Sequence, residues 1–260
     1  MIYVTGDIHG GLDINSITEW EEGKTLNHND YLIIAGDFGI PWNFSTEEDN
    51  LMWWIESRPW TTLFIDGNHE RFDYWKNQPV EEWNGGRTQQ LHEYSQIRRL
   101  MRGEVFTIDG TSLFTMGGAT SVDKAFRTEG KSWWPDELPS ECEINHARET
   151  LDSVEWEVDY VITHTCASSL LAKTLYPKHD WEKPDTDRLT NFFNELEYKL
   201  DFKRWYYGHF HIDRNIDHRH TTLLDAIVPL GEGIPVGYSL GLQSRALQAK
   251  QHRKRRVFRA

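Results

Sequence analysis

Eight side chains able to hold or move charge around a divalent cation stand at the ends of five short apolar runs. Asp7 and His9 follow "IYVTG", Asp37 follows "YLIIAG", Asn68 and His69 follow "TLFIDG", His164 closes "DYVITH", and His209 and His211 follow "RWYYG". Aspartate and histidine donors suit a borderline divalent ion such as manganese, iron or zinc. Two ions held about 3.5–4 Å apart need roughly seven protein ligands, one of them shared. Asp7, His9, Asp37, Asn68, His164, His209 and His211 make that set and leave one histidine over. In "DIH" and "HFH" the outer residues are two apart, so on an extended backbone both side chains point the same way. In "GNHE" Asn68 can offer its amide oxygen to a cation, which turns the adjacent His69 towards substrate.

Each piece alone is ordinary. An aspartate at a strand end commonly caps a helix or forms a turn, and a buried histidine is commonly a hydrogen-bonded core residue. His28, His92, His146, His179, His218, His220 and His252 lie outside the pattern and read that way. Five successive run ends, each with ligand chemistry, are not explained by packing alone.

Elements must bring these ends together. Runs of four to six apolar residues with little alternation predict strands buried on both faces. The glycine that usually follows allows a tight turn or close backbone approach, and the carboxyl ends of such strands are where open α/β sheets bind ligands. Helices are predicted at residues 45–57, with Ser45 or Thr46 as cap and Trp53 and Trp54 on the apolar face; at 88–103, ending at Gly103; at 144–155; and at 185–200, capped by Asp185 or Thr186. Further strands are expected in "EVFTIDG", "TSLFTMGGATS" and "TTLLDAIVPLG". This mixture predicts two packed sheets with helices outside. The segments at about 72–95 and 120–145, rich in Trp, Pro and charge, read as loop insertions in a single domain of residues 1–240. Residues 241–260 read as a basic, flexible tail.

The 260 residues suit one large domain or two small ones. The net charge of −13 argues against general attraction to nucleic acid or anionic membrane, except through the basic tail. No apolar run nears the roughly 20 residues that span a bilayer, and "MIYVTGD" has no leader pattern. With two cysteines, Cys142 and Cys166, a disulfide framework is not expected and the cytoplasm is the default compartment.

In order, "GDIHG", "GDFG", "GNHE", "THT" and "GHFH" resemble the five signature blocks of the calcineurin-like metallophosphoesterases, across residues 6 to 211. The resemblance implies an α/β fold: a four-layer αββα sandwich of two mixed sheets, with the site at the strand carboxyl ends. It implies Asp7, His9 and His211 on a first metal, Asn68, His164 and His209 on a second, Asp37 bridging, and His69 beside the scissile phosphate. It also implies a hydrolase in which water, acidified by two divalent cations, attacks phosphorus without a phosphoenzyme. Manganese is the first expectation for the pair, with iron, zinc or magnesium as alternatives.

The second block departs from the family's protein-phosphatase branch. Ile40 stands where that branch has an acid partner for the catalytic histidine, and Pro41 where it has a phosphate-gripping Arg, which counts against a protein phosphatase of that branch. Arg127, and more weakly Arg71, are candidate replacement clamps, because a guanidinium can grip phosphate through two bonds. Trp133 and Trp134 could stack on a nucleobase or pack their loop onto the body. The expected substrate is therefore a small phosphomonoester, phosphodiester or nucleotide, with no membrane partner. The alternatives are a nuclease or dinucleoside-polyphosphate hydrolase, with nucleic acid as partner, and a non-catalytic metal-binding scaffold.

Overall fold

Short strands that are apolar on both faces build two sheets back to back. The computed structural model describes residues 1–91, 93–176 and 186–235, and the basic tail lies outside them. In chain order the strands are β1 (Ile2–Thr5), β2 (Tyr31–Ile34), β3 (Thr61–Phe64), β4 (Val80–Trp83), β5 (Gly86–Gln89), β6 (Ile97–Leu100), β7 (Glu104–Ile108), β8 (Thr111–Met116), β9 (Tyr160–Thr163), β10 (Arg204–Tyr207), β11 (Arg214–Asn215), β12 (His220–Thr222) and β13 (Val228–Pro229). The helices are α1 (Asn15–Thr18), α2 (Thr46–Glu56), α3 (Phe72–Trp75), α4 (Glu141–Ser153), α5 (Leu171–Leu175) and α6 (Arg188–Lys199).

One sheet has seven strands in the order β13-β1-β2-β3-β6-β5-β4 and the other six in the order β11-β12-β10-β9-β8-β7. Both are mixed: β1, β2, β3 and β6 run parallel, as do β8, β9, β10 and β12, while antiparallel strands close the edges. Because side chains alternate across a strand, each sheet buries both faces. Val4, Ile33, Leu63 and Leu100 of one sheet meet Phe106, Leu113, Ile162 and Tyr206 of the other in a core between the sheets. On the outer face of the seven-stranded sheet, Tyr3, Leu32, Ile34 and Phe64 pack with Ile17 of α1 and Met52 and Ile55 of α2. On the outer face of the six-stranded sheet, Val161, Trp205 and Tyr207 pack with Ile144, Ala147 and Leu151 of α4 and Phe192, Phe193 and Leu196 of α6. The result is the expected αββα sandwich.

The helix predicted at 45–57 is α2, and the Ser45 side chain accepts from the Glu48 N–H as its cap. Trp53, however, is 55% exposed and lies edge-on to Tyr94 rather than in the core. α6 is capped by Asp187, one or two residues later than predicted, through reciprocal bonds with Thr190.

The stretch at 88–103 is not a helix. Arg99 and Arg102, which an amphipathic helix would turn to solvent, are buried, and both pair with Asp66, two residues after β3. β6 lies parallel to β3, so the segment forms the next strand of the sheet. Residues 72–95, read as a loop insertion, hold α3 and the β4–β5 hairpin that completes that sheet. "TTLLDAIVPLG" forms parts of two strands, with β12 in one sheet and β13 in the other. Asp213 holds the crossing by accepting the N–H groups of Leu224 and Ala226.

Candidate metal centre

The five predicted strands are β1, β2 and β3 in one sheet and β9 and β10 in the other, and their carboxyl ends converge. The means differ from the extended i, i+2 geometry expected. His9, Asp37, His209 and His211 all have left-handed backbones, with φ of 45°, 49°, 67° and 52°. Residues other than glycine adopt that region at a cost and concentrate at functional sites when they do. After β1, β2 and β10 the chain therefore turns sharply to aim a side chain across the seam between the sheets.

Glycines in four of the five blocks, all but "THT", make room for the groups that meet here. A Cβ on Gly67 would overlap Asp37 Oδ1, and one on Gly208 would overlap Asp7 Oδ1. A glycine at one strand end thus leaves the space that a carboxylate from another occupies.

Donor atoms of Asp7, His9, Asp37 and His211 all lie within 4.8 Å of one another. His211 Nε2 is 3.3 Å from Asp7 Oδ2, and His9 Nε2 is 3.1 Å from Asp37 Oδ2. A second group adjoins the first. Asn68 Oδ1 lies 3.2 Å from His164 Nε2 and 2.9 Å from His209 Nδ1. Asp37 faces both groups, since its Oδ1 is 3.3 Å from His164 Nε2. The seven residues are brought together, and His69 sits beside them with its ring 5.3 Å from that of His9.

Asp7 and Asp37 are both buried, and among the described residues no Lys or Arg pairs with either; their partners are histidines and backbone N–H groups. Burial disfavours a charged imidazole, but bonds to Asp13 and Asp37 outweigh it and push His9 up to about 10. His164 is likewise lowered by burial, and Asp37 and Asp7 overcome this to bring it to about 9. Burial and the neighbouring His164 push His209 down to about 4. Two buried carboxylates, Asp7 and Asp37, that meet only histidines and backbone N–H groups among the described residues leave negative charge in the pocket. With mixed N and O donors, that fits divalent cations.

Five supporting residues went unassigned in the sequence. Asp13 Oδ2 is 2.9 Å from His9 Nδ1, and the Ala35 carbonyl is 2.8 Å from His164 Nδ1, each on the ring nitrogen turned from the pocket. Glu70 accepts the Phe38 and Gly39 N–H groups, fastening the turn that carries Asp37; burial, with Asp37 adding to it, pushes this carboxyl up to about 8. Glu70 is the last letter of "GNHE" and so had a signal. Ser121, in the loop after β8, accepts from Asn68 Nδ2 and donates to Glu137, and nothing in the spacing of the two marks them.

Arg127 comes to the site. Asp123 holds its guanidinium through Nε and Nη2, at 2.6 and 2.8 Å, and its two terminal nitrogens lie 3.2 Å from the two ring nitrogens of His69. Burial, with Arg127 contributing, holds His69 below its ordinary value against the pull of Asp37. Arg71 is committed elsewhere: it donates to the Trp42 carbonyl, pairs with Asp73 and lies over the Phe44 ring. Trp133 and Trp134 are buried, the first under the Lys124 ammonium and the second against Trp42, so they pack their loop rather than offer a stacking face.

No curated protein matches the chain. The family model described as calcineurin-like phosphoesterase matches residues 1–213, which span every strand end described above. With those strand ends gathered on the seam of an αββα sandwich, the chain belongs to the calcineurin-like phosphoesterase family.

Proposed function

We propose that this protein is a dinuclear-metal phosphoesterase that hydrolyses phosphomonoesters or phosphodiesters. The observation that carries this reading is Asp37, whose two oxygens face separate histidines, His9 and His164. Asp7, His9 and His211 would hold one cation, Asn68, His164 and His209 the other, and Asp37 both. Manganese suits the mixed donors, as would iron or zinc; magnesium, which prefers oxygen ligands, suits four imidazoles less well. When bound, such cations supply Lewis acidity to water and to the phosphoryl oxygens.

The chain's own groups do the rest. His69, with its N–H bonded to Asp37 Oδ1 at 2.7 Å, is fixed beside the pocket. Its imidazole can give a proton to the departing oxygen or bond a phosphoryl oxygen. Arg127, oriented by Asp123, offers two N–H groups on the same side and takes the clamp role. Arg71, tied to Trp42 and Asp73, is assigned to holding the rim. Two cysteines without a disulfide, one exposed and one buried, accord with the cytoplasm.

The test is turnover of p-nitrophenyl phosphate and of its bis ester with added manganese, abolished by chelation. His69→Ala should keep the metal and lose about a hundredfold or more in rate. Metal uptake without turnover of either ester would favour the non-catalytic scaffold. A nuclease or dinucleoside-polyphosphate hydrolase is the second reading. It is favoured by Phe126, 93% exposed and next to Arg127, which could stack on a base. Nucleotide esters turned over faster than p-nitrophenyl phosphate would support it.

A further inference from the structure

We propose that Ser121 and Glu137 are positioning residues that decide which end of the Asn68 amide faces the cation pocket. An Asn side chain has an oxygen that can ligate a cation and an NH₂ that cannot, and the two ends have nearly the same shape. Something must select between them. Here the selection runs through one hydroxyl proton.

Ser121 Oγ donates to Glu137 Oε2 at 2.6 Å, while Glu137 Oε1 accepts the Ser121 N–H at 3.2 Å. A serine hydroxyl has a single hydrogen. With that hydrogen given to Glu137, Oγ offers only lone pairs to its other neighbour. Asn68 Nδ2, 3.1 Å away, must then be the donor, which leaves Oδ1 towards His164 Nε2 and His209 Nδ1. Reversing the amide would set its oxygen against the hydroxyl's lone pairs and aim NH₂ at the pocket. Water cannot relieve that mismatch easily, because Asn68, Ser121 and Glu137 are 5%, 4% and 2% exposed.

The backbone ties both ends of this relay to one arginine. Arg102 donates to the carbonyls of Asp136 and Glu137 and also to Asp66, two residues before Asn68. The relay and its target are therefore in fixed register. The same loop also carries Arg127 to His69, so it touches two neighbouring residues of the site.

The inference rests on the metal-dependent reading above, and its experiment separates the two. Manganese is titrated into the full-length protein and free Mn²⁺ is followed by paramagnetic resonance. The wild type should take up two ions. Ser121→Ala and Glu137→Gln should each weaken one of the two sites by about ten- to a hundredfold and leave the other. Ser121→Thr, which keeps the hydroxyl, should restore it. In an Asn68→Ala background, Ser121→Ala should have no further effect, because its action passes through the amide. A merely structural serine would weaken binding equally in both backgrounds, and that result overturns the inference. Unchanged affinities in folded Ser121→Ala overturn it as well; should that variant fail to fold, Glu137→Gln, which keeps the shape of its side chain, decides on the same criterion. A wild type that takes up fewer than two ions overturns the metal reading and this inference with it.

Discussion

The two halves of the pocket are oriented by different forces. The half formed by Asp7, His9 and His211 opens to solvent, with 40% of the His211 side chain exposed, and its orienter is a charge, Asp13 on His9. The half formed by Asn68, His164 and His209 is sheltered by a fully buried His164, and its orienters are the Ala35 carbonyl and the Ser121 hydroxyl. The difference follows the dielectric. A partly exposed carboxylate can hold an imidazole without a large desolvation penalty, whereas a deep site needs every polar group matched by a fixed partner. The open half should therefore tolerate the loss of its orienter better than the sheltered half.

The largest break in this contrast should come from Asp37, which belongs to both halves. Asp37→Asn should lower turnover by about a thousandfold or more, on the order of losing a key electrostatic group, and weaken both of the proposed cation sites in the manganese titration. Loss of only one site in the titration would mean that Asp37 does not couple the halves.

Asp66 probes the foundation of the sheltered half. It is fully buried with Arg99 and Arg102, and Asp66→Asn leaves two buried guanidiniums short of a partner. Breaking such a network costs about 3–5 kcal/mol, readable in urea denaturation. Burial works against this carboxylate, but the two arginines hold its pKa below the ordinary carboxylate value. Its stabilisation is thus complete above that ordinary value and is lost as pH falls towards the lower, folded one. Wild-type stability should drop through this acid range more steeply than that of Asp66→Asn; parallel curves would remove Asp66 from the account.

The smallest effect should come from Asp13→Asn. An amide can still accept from His9 Nδ1, so manganese affinity at the open half should fall by about tenfold, the low end for an outer partner. A loss greater than that of Ser121→Ala would invert the comparison.

What the sequence disclosed follows from how far each signal reaches. The five strand ends were legible because apolar runs, glycines and ligands are adjacent in the chain. Ser121 and Glu137 were not, because their partners are chosen by three-dimensional proximity; Ser121 is separated from Asn68 by 53 positions. Asp13 is only four residues from His9, but nothing in the residue types between them marks the pair. The stretch at 88–103 reads as a helix for a related reason. Arg99 counts as a solvent-facing residue until Asp66 is known to meet it, and only then does a strand fit better than a helix. The left-handed turns at His9, His209 and His211 left no trace in residue types that any strand end could share.

Because Asp7 hangs from one sheet and the His209 N–H that it accepts hangs from the other, the gap across the seam works as a caliper. Its jaws are set by the apolar side chains between the sheets, Ile33, Leu113, Ile162 and Tyr206 among them. Interiors packed this densely barely compress, so the reach of the reaction centre is dictated by the bulk of residues that never touch a substrate.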